Sequence, residues 1–481
     1  MRDHTYRSGN FAPVGTEQTV TNLEVTGTIP EHLNGRYLRN GPNPISEIDP
    51  DTYNWFMGDG MIHGVRIRAG QAEWYRNRWI RSRSVSRALG ERPPPANTRA
   101  GLDAAAGNTN IVGHAGRTLA LVEAGAASYE LADNLDTVRP CDFDGTLPGG
   151  YTAHPKRDPE TGELHAVSYF FGRGNTVQYS VVDPNGRARR AVDIEVGGSP
   201  MMHDFALTEQ HVIFFDLPVT FDSRQAAELT MPHWLRWPAQ LVMSALVGRI
   251  RVPDPISARA GGLLRWNSGL PYSWNPRYPA RVGVMPREGS NRDVRWFDIE
   301  PCYVFHPLNA YDDGDSIVLD LVRHPKIFDT NRNGPDEGDP TLDRWVVDLN
   351  AGKVRQSRFD DRPLEFPRMD PRLVGKHHRY GYTPTVGAGP GQSSTLIKHD
   401  LRYGTTSTHD FGTDKSCGEF VFEPNSADAA EDDGVLMGFV YDKREDRSDL
   451  MLLDANSMET MAVVHLPSRV PNGFHGNWLP A

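Results

Sequence analysis

The sequence predicts an all-β protein. Three observations carry this. The chain is a succession of short runs rich in Val, Ile, Leu, Tyr and Phe, separated by turn signals such as DPETGE, DPNG, YDDGD and DLNAGK. Long stretches of helical periodicity are scarce. No Ser/Gly linker or long charge run divides the 481 residues, so residues 1–481 read as a single domain. Many short strands suit a sandwich, a barrel or a propeller. The uninterrupted length favours a propeller, in which roughly 40 to 50 residues per blade give six to eight blades.

From the start, MRDHTYRSGNFAPVG lacks the apolar core of a secretion signal. Nothing later approaches the roughly 18 uninterrupted apolar residues of a membrane span. Cys141, Cys302 and Cys417 are the only cysteines. Without paired spacing they suit reduced thiols in a cytoplasm and supply neither a disulfide framework nor a CxxC zinc site. A formal net charge of -11 argues against nucleic acid as a partner. The Gly58–Gly60 stretch GDG reads as a tight turn, because no GxxxxGK[ST] follows.

Histidine then recurs in one kind of phrase. His154 stands in TAHPKRDPETGELHAVSYFF, His203 in SPMMHDFALTEQHVIFFD and His306 in YVFHPLNAYDDGDSIVLDLV. Each time a His is followed by a polar turn and then by an apolar strand, which sets it near one end of a strand before a hairpin. Between the second and third of these, MPHWLRWPAQLVMSALVGRIRVP breaks the β pattern. Residues 231–250 read as an apolar helical insertion interrupted at Pro238. Such a helix either packs on the body or lies on a membrane surface with Trp234, Trp237 and neighbouring arginines at the headgroups.

DTNRNGPDEGDP begins as a calcium loop does, with Asp329, Asn331, Asn333 and Gly334. Its twelfth position is Pro340, where a bidentate Glu is needed, so it reads as an exposed acidic turn. His63 in GMIHG and His377 and His378 in GKHHRYGY read as structural. The chain ends in PNGFHGNWLPA, with His475 in a Gly/Asn-rich turn where chains usually fray.

A propeller brings sequence-distant strand ends to one axis, and neutral imidazole is the commonest side-chain metal ligand. His154, His203, His306 and His475 can therefore meet at a central channel, the last arriving as the final strand closes the ring. Four nitrogens without thiolate suit Fe(II), Cu(II) or Zn(II).

The motifs GTIPEHLNGRYLRNGPNP, NWFMGDGMIHG, TAHPK, MMHDF, EFPRMD, AEDDGVLMGFVYD and NGFHGNW, in this order, resemble the carotenoid cleavage oxygenase family. That family includes apocarotenoid oxygenases, stilbene-cleaving oxygenases and the retinal pigment epithelium isomerase. The resemblance implies a seven-bladed β-propeller under a dome of loops and short helices. It also implies Fe(II) on the propeller axis held by His154, His203, His306 and His475, with dioxygen as co-substrate. Three glutamates that orient the histidines are implied at Glu123 in LALVEAG, Glu365 in LEFPRMD and Glu419 in CGEFVF, where Cys417 and Phe420 depart from the family's usual Pro-containing pattern.

The reaction so implied is oxidative cleavage of a conjugated C=C bond into two carbonyl compounds. Stilbene-cleaving members carry a lysine where this chain has Val122, with a tyrosine upstream, and ERPPPANTRAGLDAAAGNTN contains no Tyr. An apolar Val122 leaves a phenol oxygen unpaired. A carotenoid or apocarotenoid is therefore the expected substrate and a stilbenoid the alternative. Three further readings stay open at this stage: a non-catalytic propeller scaffold, a zinc hydrolase and the family's isomerase chemistry.

Overall fold

The computed structural model describes residues 5–47, 53–95, 107–253, 269–335, 337–387 and 393–481. Antiparallel sheets dominate, and seven of the eight sheets among these residues are the blades of a propeller. The eighth is a two-stranded ribbon, Val219–Phe221 with Tyr272–Trp274. The all-β expectation and the blade number hold.

In the second blade the strands follow the chain outward: Asn110–His114, Arg117–Leu121, Ser128–Leu131 and Thr137–Cys141. The third (residues 156–195), fourth (205–298) and fifth (307–360) blades repeat this order. The first and seventh blades close the ring by exchange. Gly476–Pro480, near the chain's end, pairs as the inner strand of the first blade against Gly35–Pro42. Val25–Gly27, near its beginning, pairs on the outer edge of the seventh against Thr460–His465. The last residues are thus sheet residues, which is why His475 does not fray. Gly473 permits the approach: a Cβ there would stand 2.8 Å from the Asn40 carbonyl oxygen.

Alternation along the strands sorts the core. Residues such as Val177, Tyr179, Val212, Phe214, Val282, Leu319 and Trp345 are buried between neighbouring blades in the largest apolar cluster. Outer strands alternate with solvent, as in Ala188–Glu195 and Lys353–Asp360.

Antiparallel order has one consequence for function. The beginning of each inner strand and the end of the strand beside it lie on the same face. Connections between the second and third strands therefore rise above that face and form a dome. The longest, residues 217–280, carries the ribbon and the helices Ser223–Thr230 and Arg236–Leu246.

Here the structure corrects the sequence reading. Pro238 does not interrupt a helix but sits in the first turn of Arg236–Leu246, where its missing N–H would have had no partner. The helix packs only partly on the body, through Ser244, whose hydroxyl lies 2.6 Å from that of Ser223 on the preceding helix. None of the residues of Arg236–Leu246 is buried, and Trp234 and Trp237 are 76% and 71% exposed.

Several buried histidines lie within the blades. His165 bonds Tyr179 Oη at 2.7 Å, His399 bonds Thr383 Oγ1 at 2.6 Å, and His378 Nδ1 lies 3.2 Å from Asn309 Nδ2. Burial disfavours their charged forms and holds all three down to about 4. The unfolded chain, with histidines near 6.5, then takes up protons first as pH falls. Stability from these groups is whole above pH ~6.5 and drains between there and pH ~4, by up to roughly 3 kcal/mol for each. The urea midpoint should fall steeply from pH 7 to pH 5, and a flat profile would contradict this account.

Candidate metal centre

Each blade sends one side chain to the axis on the dome face. His475 immediately precedes the inner strand of the first blade, and His306 that of the fifth; His154 and His203 stand two residues before those of the third and fourth. Glu123 follows the second strand of the second blade, Arg117–Leu121. Glu365 opens the irregular inner edge of the sixth, where Leu364 and Arg368 bridge to Thr385 and Tyr382. Glu419 stands two residues before Val421–Pro424 of the seventh. The structure brings all seven sequence-predicted residues together.

The imidazoles face one another. Ring centroids lie 4.4 Å apart for His154 and His203, 5.1 Å for His203 and His306, and 4.7 Å for His475 with both His154 and His306. All four residues are buried. Nitrogens of His154, His203 and His306 all fall within 4.8 Å of one another, as a shared ion requires. His475 lies outside that tighter set, although its ring borders two of its members.

Carboxylates orient the rings. His306 Nδ1 donates to Glu365 Oε2 at 2.6 Å, and His475 Nδ1 to Glu419 Oε1 at 2.9 Å. Glu123 Oε1 lies 2.9 Å from His154 Nε2 and 2.7 Å from His203 Nδ1, the latter off the line of a ring N–H donor. Burial alone would raise the carboxyls of Glu365 and Glu419. Yet His306 and His324 hold Glu365 below the ordinary carboxylate range, and Arg368 and His475 do so for Glu419. Burial, reinforced by the neighbouring imidazoles, pushes His154 well below the ordinary histidine value, and burial lowers His306 despite Glu365. His154 and His306 are thereby held in the neutral form that metal coordination requires.

This donor set fits a divalent ion. His306 gives its Nδ1 proton to Glu365, so its Nε2 carries a lone pair, and that atom faces Nε2 of His203 at 3.3 Å. Metal–nitrogen bonds of about 2.1 Å would put adjacent ligand nitrogens roughly 3 Å apart. An ion between the rings turns an opposition of lone pairs into coordination.

The backbone is specialised around the glutamates. Ala124 and Phe366, each next to one, have φ of 57° and 53°. A left-handed conformation costs such residues about 1–2 kcal/mol. At Phe366 it lays the ring over His306, with centroids 5.4 Å apart.

Sequence reasoning missed further groups. His324 Nε2 bonds the second oxygen of Glu365 at 2.9 Å, and Tyr169 Oη donates to Glu123 Oε2 at 2.9 Å. Asp204, buried beside His203, bonds Lys156 at 2.8 Å and lies 3.9 Å from His154 Nδ1. One signal was available: His-Pro-Lys occurs at 154–156 and again at 324–326. His63, paired with Tyr75 Oη at 2.9 Å, and His378 have partners of their own within the blades. In the calcium look-alike a carboxylate of the loop is gathered by the loop's own donors. Glu337 accepts from the backbone N–H of Asp329 and Asn331 and from Thr330 Oγ1, at 2.6–2.7 Å.

The family model described as retinal pigment epithelial membrane protein matches residues 11–480. A carotenoid cleavage oxygenase of Mycobacterium tuberculosis is 56% identical over 99% of this chain and 97% of its own. The chain belongs to the carotenoid cleavage oxygenase family. Two solved structures share its fold. Pseudomonas brassicacearum lignostilbene dioxygenase is 27% identical with TM-score 0.81, covering 99% of this chain and 98% of that one. Cobalt-substituted Synechocystis apocarotenoid oxygenase is 25% identical with TM-score 0.80, covering 98% and 97%. This oxygenase is thus an enzyme of the dioxygenase type, not a non-catalytic scaffold.

Above the histidines the oxygenase has a cavity of about 270 Å³. Its walls are the dome connections: Trp55 and Phe56 from the first blade, Val122 from the second, Tyr169 from the third, His324, Pro335 and Gly338 from the fifth, Val386 from the sixth. Aromatic rings of Phe305, Phe366 and Phe474 press on the floor. The upstream stretch in which a phenol-binding tyrosine was sought lies partly at residues 96–106, outside the described residues.

Ion binding should appear as thermal stabilisation. A divalent ion at 1,000 times its Kd adds about 4 kcal/mol to the folded state. Co(II) or Fe(II) should raise the Tm of the wild type, and His154→Ala or His475→Ala should lose most of that rise. A full rise in His475→Ala would remove His475 from the ligands.

Proposed function

We propose that this oxygenase is a non-haem iron dioxygenase that splits one conjugated C=C bond of a carotenoid or apocarotenoid. Both atoms of dioxygen enter the products, two carbonyl compounds. The observation that carries the reading is a convergence of four buried imidazoles beneath an aromatic cavity. His154, His203, His306 and His475 are the proposed ligands, with Glu123, Glu365 and Glu419 as their acceptors. When bound there, Fe(II) supplies the activation of dioxygen that side chains lack.

The chain's own residues do the rest. Glu365 and Glu419 fix the tautomers of His306 and His475, so the Nε2 of each carries a lone pair. Phe305, Phe366 and Phe474 keep the floor apolar and exclude water from the reacting alkene. Cavity walls that are mostly hydrocarbon select an apolar chain by shape. Support for a polyene over a stilbenoid comes from the 56% identical relative's name and from Val122, which offers a phenol no partner.

Oxygen uptake by protein reconstituted with Fe(II) should be seen with apocarotenoids and be weak with hydroxystilbenes. Heavy-oxygen gas should label both carbonyl products. Val122→Lys should move the ratio of the two kcat/KM values at least about tenfold toward the phenol, the worth of roughly one hydrogen bond to a charged group. The opposite preference in the wild type would establish the stilbenoid alternative.

The exposed helical segment is the proposed route for such a substrate. Residues 231–253 contain Arg236, Arg249 and Arg251 and no acidic residue, and they expose Trp234, Trp237, Leu241, Val242 and Ile250. Tryptophan and arginine at an apolar surface suit an anionic lipid bilayer. No helix among the described residues is long and apolar enough to cross one. The segment rises from Phe221 and the chain returns at Leu270, which lines the cavity. Co-sedimentation with anionic vesicles should fall at least about tenfold in Trp234→Ser/Trp237→Ser, since burying each indole contributes more than 1 kcal/mol. Unchanged binding would end this reading.

A further inference from the structure

We infer that Tyr169 and His324 are positioning residues of the metal centre: each grips the free oxygen of a glutamate whose other oxygen faces a ligand histidine. The inference rests on the metal reading proposed above.

Carboxylates can swing about the bond to their own side chain. An imidazole bonded to one oxygen follows that swing, so a single hydrogen bond orients it loosely. In this structure all three glutamates are held at both oxygens. Glu419 Oε2 accepts the Gly476 N–H at 2.8 Å while Oε1 faces His475, with Arg368 Nε 3.3 Å away. Glu365 Oε1 accepts from His324 at 2.9 Å, and Glu123 Oε2 accepts from Tyr169 at 2.9 Å. Backbone does this work for the first, and side chains do it for the other two.

Architecture places these two side chains alike. Tyr169 directly follows the second strand of the third blade, Leu164–Ser168, and His324 directly follows that of the fifth, Ser316–Arg323. Each is therefore the first residue of a dome connection. His324 is also fixed in itself. Its backbone exchanges two hydrogen bonds with Tyr303, at 2.8 and 2.9 Å, and its ring meets Phe305 edge to face with centroids 5.0 Å apart.

Packing alone does not explain a histidine there. His324 Nδ1 is buried and has no hydrogen-bond partner among the described residues. An unpaired buried acceptor is costly, and phenylalanine would fill the space without it. What histidine adds is the Nε2–H that Glu365 accepts.

Tyr169→Phe removes one hydroxyl, and His324→Phe and His324→Gln separate ring volume from the N–H. Co(II) affinity measured by chelator competition should weaken about 10–100-fold in Tyr169→Phe and His324→Phe. His324→Gln, which keeps a donor, should recover most of the loss. The visible spectrum of bound Co(II) should shift in the two Phe variants, and kcat should fall with KM little changed. His63→Phe, a buried change within the first blade, controls for general loosening and should leave affinity and spectrum as in the wild type. Wild-type affinity and spectrum in Tyr169→Phe and His324→Phe would overturn the inference while leaving the metal centre intact. A wild-type protein that binds no Co(II) would overturn the metal reading and this inference with it.

Discussion

One constraint organises the proposed centre: four imidazoles are buried and brought face to face. Burial alone gives neutrality but not direction. Direction comes from ionised carboxylates, which are themselves costly to bury unless saturated with donors. Glu365 illustrates the balance, since its charge is sustained in the interior by two imidazole N–H groups at 2.6 and 2.9 Å. Remove the donors and the carboxylate protonates; remove the carboxylate and the rings lose their tautomers. Centre and support are one electrostatic unit.

Seven blades suit this unit numerically and geometrically. Four histidines and three glutamates use one position per blade, and each glutamate faces a histidine of a neighbouring blade. In sequence these partners lie far apart: Glu419 and His475 are separated by 56 residues, and His306 and Glu365 by 59. Only a closed ring makes them neighbours without long loops. Closure by the last strand is therefore part of the site, because the backbone of His475 is fixed between Asn40 and Thr109 of the first two blades.

How much of this was legible in the sequence follows from the same geometry. Strand density and turn signals depend on local chemistry, so the all-β class and the histidines before apolar strands were readable directly. The blade number and the glutamates were not, because no blade signature repeats at a fixed period and an isolated Glu looks like surface; they came from motif resemblance. Pro238 misled because proline breaks a helix interior yet starts a helix, and the two differ by where the first turn falls. Tyr169 and His324 stayed hidden because their partners are defined only once strands are paired. Exposure of Trp234 and Trp237 was undecidable from residues that suit burial and a lipid surface equally.

Because the ring of axial positions is occupied by the four histidines and the three glutamates, little of it is left to recognise a substrate. Recognition must then reside in the dome, where the connections after each second strand vary without disturbing the centre. Here those connections present hydrocarbon and aromatic faces, and the longest carries both an unburied helix and the cavity-lining Leu270. The same division explains how relatives named for apocarotenoids and for lignostilbenes share one fold at TM-scores of 0.80 and 0.81. Under the proposed function, Val122, which borders the cavity next to Glu123, sets the choice between polyene and phenol, since an apolar side chain there leaves a phenol oxygen without a partner after it leaves water.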